Sequence, residues 1–286
     1  MNERATCRLI LAALATAACG NSTYWVNAAL DDSRGGSGGA GGSDGGGGVG
    51  GAQDICEPSQ APAELCAELP HLRDAVVDGE LECAAALRPV EGGVSLRGNI
   101  TPPLVDYAIA WTDGGLYWFV AVQDATLDVP QGDDAPYCGD SIELFVDDDG
   151  DYQSPPLYDA PGTIHVIIPR GAGGVEPVLY RESTEVGVAT GLQFVTRERS
   201  GGWTAEVVID ARQLGLASWT PTLGSRVGFN LAVNYGDSSG APGLNPECRA
   251  PVVREDEWLL RGMPREGTCE GQPYCDVRTF CNPVLR

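Results

Sequence analysis

The chain is predicted to fold as an all-β, antiparallel β-sandwich, jelly-roll-like and stapled by disulfides. Three observations predict it. Short apolar segments of alternating character succeed one another at close spacing, separated by turns of Gly, Asp and Pro. Helical periodicity is almost missing, with Asp210 to Leu216 a short helical turn at best. An even set of cysteines lies beyond an export-type leader, the pattern of an oxidising compartment. No repeat at a fixed period is evident, which excludes a solenoid or propeller.

The leader comes first. Arg4 and Arg8 precede the apolar run Leu9-Ile10-Leu11-Ala12-Ala13-Leu14-Ala15, too short to span a bilayer as a stable helix. It ends in Thr16-Ala17-Ala18-Cys19-Gly20, which resembles the lipobox of bacterial lipoproteins, with Thr16 where Leu is usual. That resemblance implies a signal peptide over residues 1–19, with Cys19 lipidated as the new N-terminus. An ordinary secretory signal cleaved nearby is the alternative, and both readings export the protein. The implied location is the outer membrane or cell surface, otherwise the periplasm or medium. Residues 20–53 form a Gly-rich linker, with a glycine run from Gly35 to Gly51 that has too little apolar surface to pack. The sandwich is expected over 54–262.

Its strands are read in order. Leu104 to Trp111 alternates, with Val105, Tyr107, Ile109 and Trp111 on one side. Asp113-Gly114-Gly115 turns it into Leu116 to Val122. After a long acidic loop comes Ser141 to Asp147, in which Ile142, Leu144 and Val146 share one face and Ser141, Glu143 and Phe145 the other. Thr163 to Ile168 and Leu192 to Arg199 follow, and Ser200-Gly201-Gly202 turns the latter into Trp203 to Ile209. Arg226 to Asn234 and Glu257 to Leu260 complete the set. Residues 263–286 carry three cysteines among Pro, Gly and polar residues without periodicity. They are read as an irregular tail packed on the sandwich, attached through Cys138 or Cys248.

Of ten cysteines, Cys7 lies in the leader and Cys19 is the proposed anchor. The remaining candidates for disulfides are Cys56, Cys66, Cys83, Cys138, Cys248, Cys269, Cys275 and Cys281, whose pairing spacing alone leaves open. No C-x-x-C is present and only two His occur, which argues against a zinc cluster. With 40 acidic and 18 basic side chains the formal charge is −22. Such a surface repels phosphate backbones and anionic lipids, so no nucleic acid partner is expected, and the membrane is met only through the anchor. Neutral ligands, cations and other cell-surface proteins remain.

Several motifs share an order and spacing. They are Val77-Asp78-Gly79-Glu80-Leu81, Ala110-Trp111-Thr112-Asp113 leading to Leu116-Tyr117, Pro136-Tyr137-Cys138-Gly139-Asp140-Ser141-Ile142-Glu143-Leu144-Phe145-Val146-Asp147, and Val227-Gly228-Phe229-Asn230-Leu231-Ala232-Val233-Asn234. Together they resemble carbohydrate-binding module family 9 and its DOMON-like relatives, over roughly Val76 to Arg261. The resemblance implies non-catalytic binding of a glycan end between two aromatic rings, with polar side chains on a concave sheet face. Carried over, the rings fall on Tyr137 and Trp258, the strand glutamate on Glu143, and the next strand's polar residue on His165, where sugar binders carry arginine. Tyr offers a smaller stacking face than Trp, and His lacks the planar fork of Arg.

The residues support a site without the family. Glu143, His165 and Asn230 each interrupt an apolar strand, and polar groups gathered in an apolar concavity mark a ligand site. The competing reading is that Glu143 only holds strands in register and Asn230 caps a buried bulge. Asp147-Asp148-Asp149-Gly150-Asp151 suits a hard cation, with Asp147, Asp149 and Asp151 as candidate calcium ligands and Asp124, Asp128, Asp133 and Asp134 nearby. A hydrated acidic turn is the alternative. Gly139-Asp140-Ser141 resembles an esterase nucleophile block but lacks a histidine at that family's spacing, so no enzyme is expected. Haem, bound by some DOMON relatives, would have His71, His165 and Met263 as ligands and no lysine, and is not expected. A scaffold or adhesion role without sugar is the remaining alternative.

Overall fold

The computed structural model describes residues 66–82, 85, 87–89, 93–95, 104–130, 134–148, 162–171, 176–181, 184–189, 192–212, 214, 219–237, 248, 253–260 and 280–286. Leader, linker, Cys19, Cys56, Cys83, Asp133, Asp149, Asp151, Met263, Cys269 and Cys275 lie outside these residues.

The strands are β1 (Glu68–Leu69), β2 (Arg88–Pro89), β3 (Val94–Ser95), β4 (Val105–Trp111), β5 (Gly115–Val122), β6 (Ser141–Asp147), β7 (Thr163–Pro169), β8 (Val178–Arg181), β9 (Thr184–Val188), β10 (Leu192–Arg199), β11 (Gly202–Asp210), β12 (Gly228–Asp237), β13 (Val253–Leu259) and β14 (Val284–Leu285). They build a five-stranded sheet, β10-β11-β5-β4-β2, and a seven-stranded sheet, β3-β13-β12-β6-β7-β8-β9. Pairing within both is antiparallel throughout.

Alternation decides what lies between the sheets. From the five-stranded sheet, Tyr107, Ile109, Trp118, Val120 and Val207 face inward, and from the other Ile142, Leu144, Val166, Phe229 and Leu231 meet them. Trp118 contacts Phe229 edge to face, with ring centroids 5.3 Å apart. The expected sandwich is therefore the observed one. Its hairpins also follow the sequence. Gly115 lets β5 run against β11, since a Cβ there would lie 1.8 Å from the Ile209 carbonyl oxygen. Gly201, between β10 and β11, has φ +79°.

The outer face of the five-stranded sheet is roofed by residues 72–82 and Ala85, through Leu72 and Ala85 on Ala108, Ala110, Tyr117 and Phe119. A buried carboxylate fastens this roof. Glu206 accepts hydrogen bonds from the Asp78 amide (2.7 Å), the Gly79 amide and the Tyr117 hydroxyl (3.0 Å). Burial raises the Glu206 carboxyl, against the pull of the Gly79 amide. Burial likewise pushes Tyr117 well above the usual tyrosine range.

The two sheets are also latched at one end. Arg170, just past β7 and 2% exposed, grips Glu198 of β10 through Nε (3.0 Å) and Nη2 (2.7 Å). Its Nη1 donates to Asp140 Oδ2 (2.9 Å), to Asp124 Oδ2 (3.3 Å) and to the Thr126 carbonyl. The guanidinium lies 5.7 Å from the Trp203 ring centroid.

Two disulfides occur among the described residues, Cys66–Cys281 and Cys138–Cys248. This corrects the expected attachment of the tail. Cys138 and Cys248 bond each other, and the C-terminal segment is held through Cys281. Nor are the last residues irregular. Cys281 exchanges backbone hydrogen bonds with Phe229, and β14 pairs in parallel with β1. Sequence alternation missed β1, β2, β3, β8, β9 and β14, because strands of two to five residues are too short to show a period. Asp210 to Leu214 is a turn, closed by Leu214 N–H to the Asp210 carbonyl at 3.1 Å.

Candidate functional site

Facing away from the interior, the seven-stranded sheet presents polar and aromatic side chains. β6 places Glu143 at the centre, opposite the single methyl of Ala232 on β12 and opposite Ile167 on β7. Its diagonal neighbours are Asn234, which pairs with Ser141, and His165, which pairs with Phe145. Both reach it. Asn234 Nδ2 donates to Glu143 Oε1 at 2.7 Å and to Ser141 Oγ at 3.0 Å. His165 Nε2 lies 2.7 Å from Glu143 Oε2. Glu143 is 3% exposed, so the charge that looked costly in the sequence is partnered on both oxygens.

Rings flank this carboxylate. The His165 imidazole stacks on Phe145 at 4.2 Å and 15°, and on Tyr180 of β8 at 5.3 Å and 25°. Phe280 continues the row beyond Phe145 at 6.1 Å. Exposure increases along the row from buried Phe280 and Phe145 to half-buried Tyr180. Tyr180 Oη is 3.4 Å from Glu185 Oε2 on β9. Burial holds the Tyr180 phenol well above the usual range, reinforced by Glu185, Tyr137 and Glu143. Tyr137 itself is half-buried in the single 3-10 turn Pro136–Cys138, tied down by Cys138–Cys248.

Of the residues singled out by sequence, Glu143 and His165 are in contact, and Tyr137 lies within electrostatic reach of Tyr180. Asn230 shares their face, opposite Phe145, but its Oδ1 accepts the Leu231 amide at 2.8 Å. Trp258 does not belong to the group. It pairs with Val233, points into the interior and is 1% exposed. The expectation that it stacks on a ligand here is corrected, because one step of β alternation puts Glu257 and Leu259 on the outer face instead. Asn234 and Tyr180 were missed. Asn234 was within reach of sequence reasoning, since it has the parity of Asn230. Tyr180 was not, because its strand is only four residues long.

The remaining candidates are placed as follows. Asp147 closes β6, 1% exposed, where Gly228 makes room for it: a Cβ there would be 2.8 Å from the Asp147 Cβ. Asp149 and Asp151 lie outside the described residues, and among those described no group of three or more metal-binding side chains converges. Asp124, Asp128 and Asp140 belong to the latch: Asp140 also accepts the Asp128 amide (2.9 Å) and the Gly236 amide (2.8 Å). Burial pushes Asp140 up to about 7 despite those donors. The His71 ring lies 4.1 Å from that of Trp111 on β4, tilted by 37°, and its Nε2 contacts Asp113 at 2.9 Å.

Such a face can do one thing well. Flat rings offer an apolar surface, and immobilised polar groups beside them fix the orientation of whatever lies there. The fold is a two-sheet β-sandwich, and this face gathers its rings and polar side chains around Glu143. Residues 104–243, which run from β4 through β12, match the family described as carbohydrate family 9 binding domain-like. Among solved structures, a family 9 carbohydrate binding module (CBM9) from Caldicellulosiruptor kristjanssonii in complex with cellotriose is similar at 18% identity. The match covers 77% of this chain and 93% of that one, with a TM-score of 0.57. The same organism's CBM9 in complex with glucose is similar at 18% identity, over 77% and 94% of the two chains, with a TM-score of 0.56. At that identity the likeness is one of fold. No curated protein matches the chain.

Proposed function

We propose that the outer face of the seven-stranded sheet binds a saccharide non-catalytically, at the end of a glycan. The observation that carries this is the clamping of Glu143 between Asn234 and His165 beside a row of stacked rings. Tyr180, with Tyr137 nearby, supplies the apolar surface for sugar C–H groups, and the edge of the His165 ring beside Glu143 meets hydroxyls. The family match over residues 104–243 supports the reading, as do the cellotriose and glucose bound by modules of this fold. Calorimetry with cellotriose and glucose tests it. Glu143→Ala is expected to weaken binding by about tenfold or more, because Asn234 and His165 lose the carboxylate that holds them in place, while far-ultraviolet circular dichroism is unchanged. Unaltered affinity in that variant, or no binding by the native chain, overturns it; the latter result would turn the sandwich toward an adhesion or scaffold role.

Export with lipidation at Cys19 belongs to the same proposal. It is supported by the run of small residues before that cysteine and by disulfides suited to an oxidising compartment. Incorporation of labelled palmitate, lost in Cys19→Ser, tests it. Calcium held by Asp147 with Asp149 and Asp151 would brace the loop after β6. The support is the density of carboxylates, a hard-oxygen donor set. A melting temperature indifferent to calcium and chelator would refute it.

A further inference from the structure

The saccharide site has a charge character that narrows its ligand. On this face of β6, β7, β8, β9 and β12, the charged groups among the described side chains are Glu143, Asp147 and Glu185. His165 is the one cationisable ring, and it faces Glu143 directly. Both Glu143 oxygens are already spent on Asn234 and His165. Glu185 differs: it is exposed, and its one described contact is a 3.4 Å bond from Tyr180 to Oε2, which leaves Oε1 open. The accessible end of the row of rings is therefore a phenol beside an uncommitted carboxylate. A neutral sugar uses the ring but does nothing for the charge.

We propose that this face selects a saccharide bearing a free amine, a hexosamine with its ammonium group, over a neutral sugar of the same linkage. The ammonium ion would lie against the electron-rich face of Tyr180 and within ion-pairing reach of Glu185, while the pyranose ring occupies the surface beside His165. Cation–π attraction and a carboxylate partner act on the same group and reinforce each other. The long-range field agrees, since a chain of charge −22 draws cationic ligands and repels uronic acids. The elevated Tyr180 phenol reports burial first and the negative charge of Glu185 second, the same asymmetry seen from the protein side.

This inference rests on the carbohydrate-binding reading, and its test separates the two. A β-1,4-linked glucosamine trisaccharide, its fully N-acetylated counterpart and cellotriose share linkage and length but differ in charge. Each is titrated into the native chain and into Glu185→Gln at mildly acidic pH, at low and high salt. The expected result is binding of the amine form about tenfold more tightly than either neutral trisaccharide. That preference should shrink with salt, and the ratio should fall toward one in Glu185→Gln. Equal affinities, or tighter binding of a neutral trisaccharide, overturn the amine preference and leave sugar binding standing. A preference that survives unchanged in Glu185→Gln overturns the assignment to Glu185. Binding of none of the three overturns this inference together with the reading beneath it.

Discussion

Gly79 gives the sharpest check on how the roof is held over the five-stranded sheet. Its φ of +86° lies in the left-handed region, and the turn it makes aims two successive amides, Asp78 and Gly79, at the buried Glu206 carboxylate. A Cβ at Gly79 would sit 2.4 Å from Arg197 Nε and 2.8 Å from Val195 Cγ1. The arginine can swing aside, but the valine is short and set in β10. Gly79→Ala thus adds two penalties. The left-handed conformation costs an alanine about 1 kcal/mol. Shifting the turn to relieve Val195 weakens amide bonds to a buried carboxylate, worth about 2 kcal/mol more. The control is Gly201→Ala, at a similar φ of +79° with nothing within 4 Å of the new methyl, which incurs only the first penalty. In urea denaturation followed by tryptophan fluorescence, Gly79→Ala should lose roughly 3 kcal/mol and Gly201→Ala roughly 1. Limited proteolysis should open residues 72–85 in the first variant alone. Equal losses in both would refute the account, because backbone strain would then explain everything and the Glu206 anchor nothing.

Other expectations follow from the same structure. Trp258→Ala should destabilise the fold by about 3–5 kcal/mol in thermal melts, as removal of an interior indole does; a stable variant that merely loses sugar affinity would contradict the ring's placement between the sheets. Cys281→Ser opens a disulfide joining residues 215 apart in sequence and should cost about 3–5 kcal/mol, read as a lowered melting temperature that reductant reproduces in the native chain. The pH dependence has a definite sign. Asp140 is raised from 3.8 to about 7, so the folded state binds a proton the unfolded chain releases, and its stability contribution is whole below about 4 and lost as pH rises through about 7. The melting temperature should therefore climb as pH falls from 8 toward 5, and Asp140→Asn should flatten the climb; a climb unchanged in that variant would assign it to other groups.

Much of this was legible in the residues themselves. Alternation along β4 to β7 and β10 to β12 fixed which side chains meet between the sheets, because period two is a local property of an extended chain. Arg226 to Asn234 reads as a strand, yet the strand begins at Gly228 and continues to Asp237. That end depends on pairing with β13 and a bulge at Tyr235/Gly236, neither of which is local. Glu143 stood out as a charge in an apolar strand. Its neighbours did not, since diagonal contact across strands depends on register, and register is set by partners dozens of residues away. His165 could be suspected and Asn234 shares the parity of Asn230, while Tyr180 could only be found once β6, β7 and β8 were laid side by side.

The sequence by itself determined a two-sheet β architecture and one carboxylate out of keeping with its strand. Those features arise from composition and from periodicities a few residues long. The tertiary structure decided the rest. It turned Trp258 inward, paired Cys281 with Cys66, closed the sandwich with its C-terminal strand and spent both oxygens of Glu143 on Asn234 and His165. Each of those outcomes is a contact between residues distant in sequence, and the choice among competing partners is made by packing two whole sheets against each other rather than by any stretch of either.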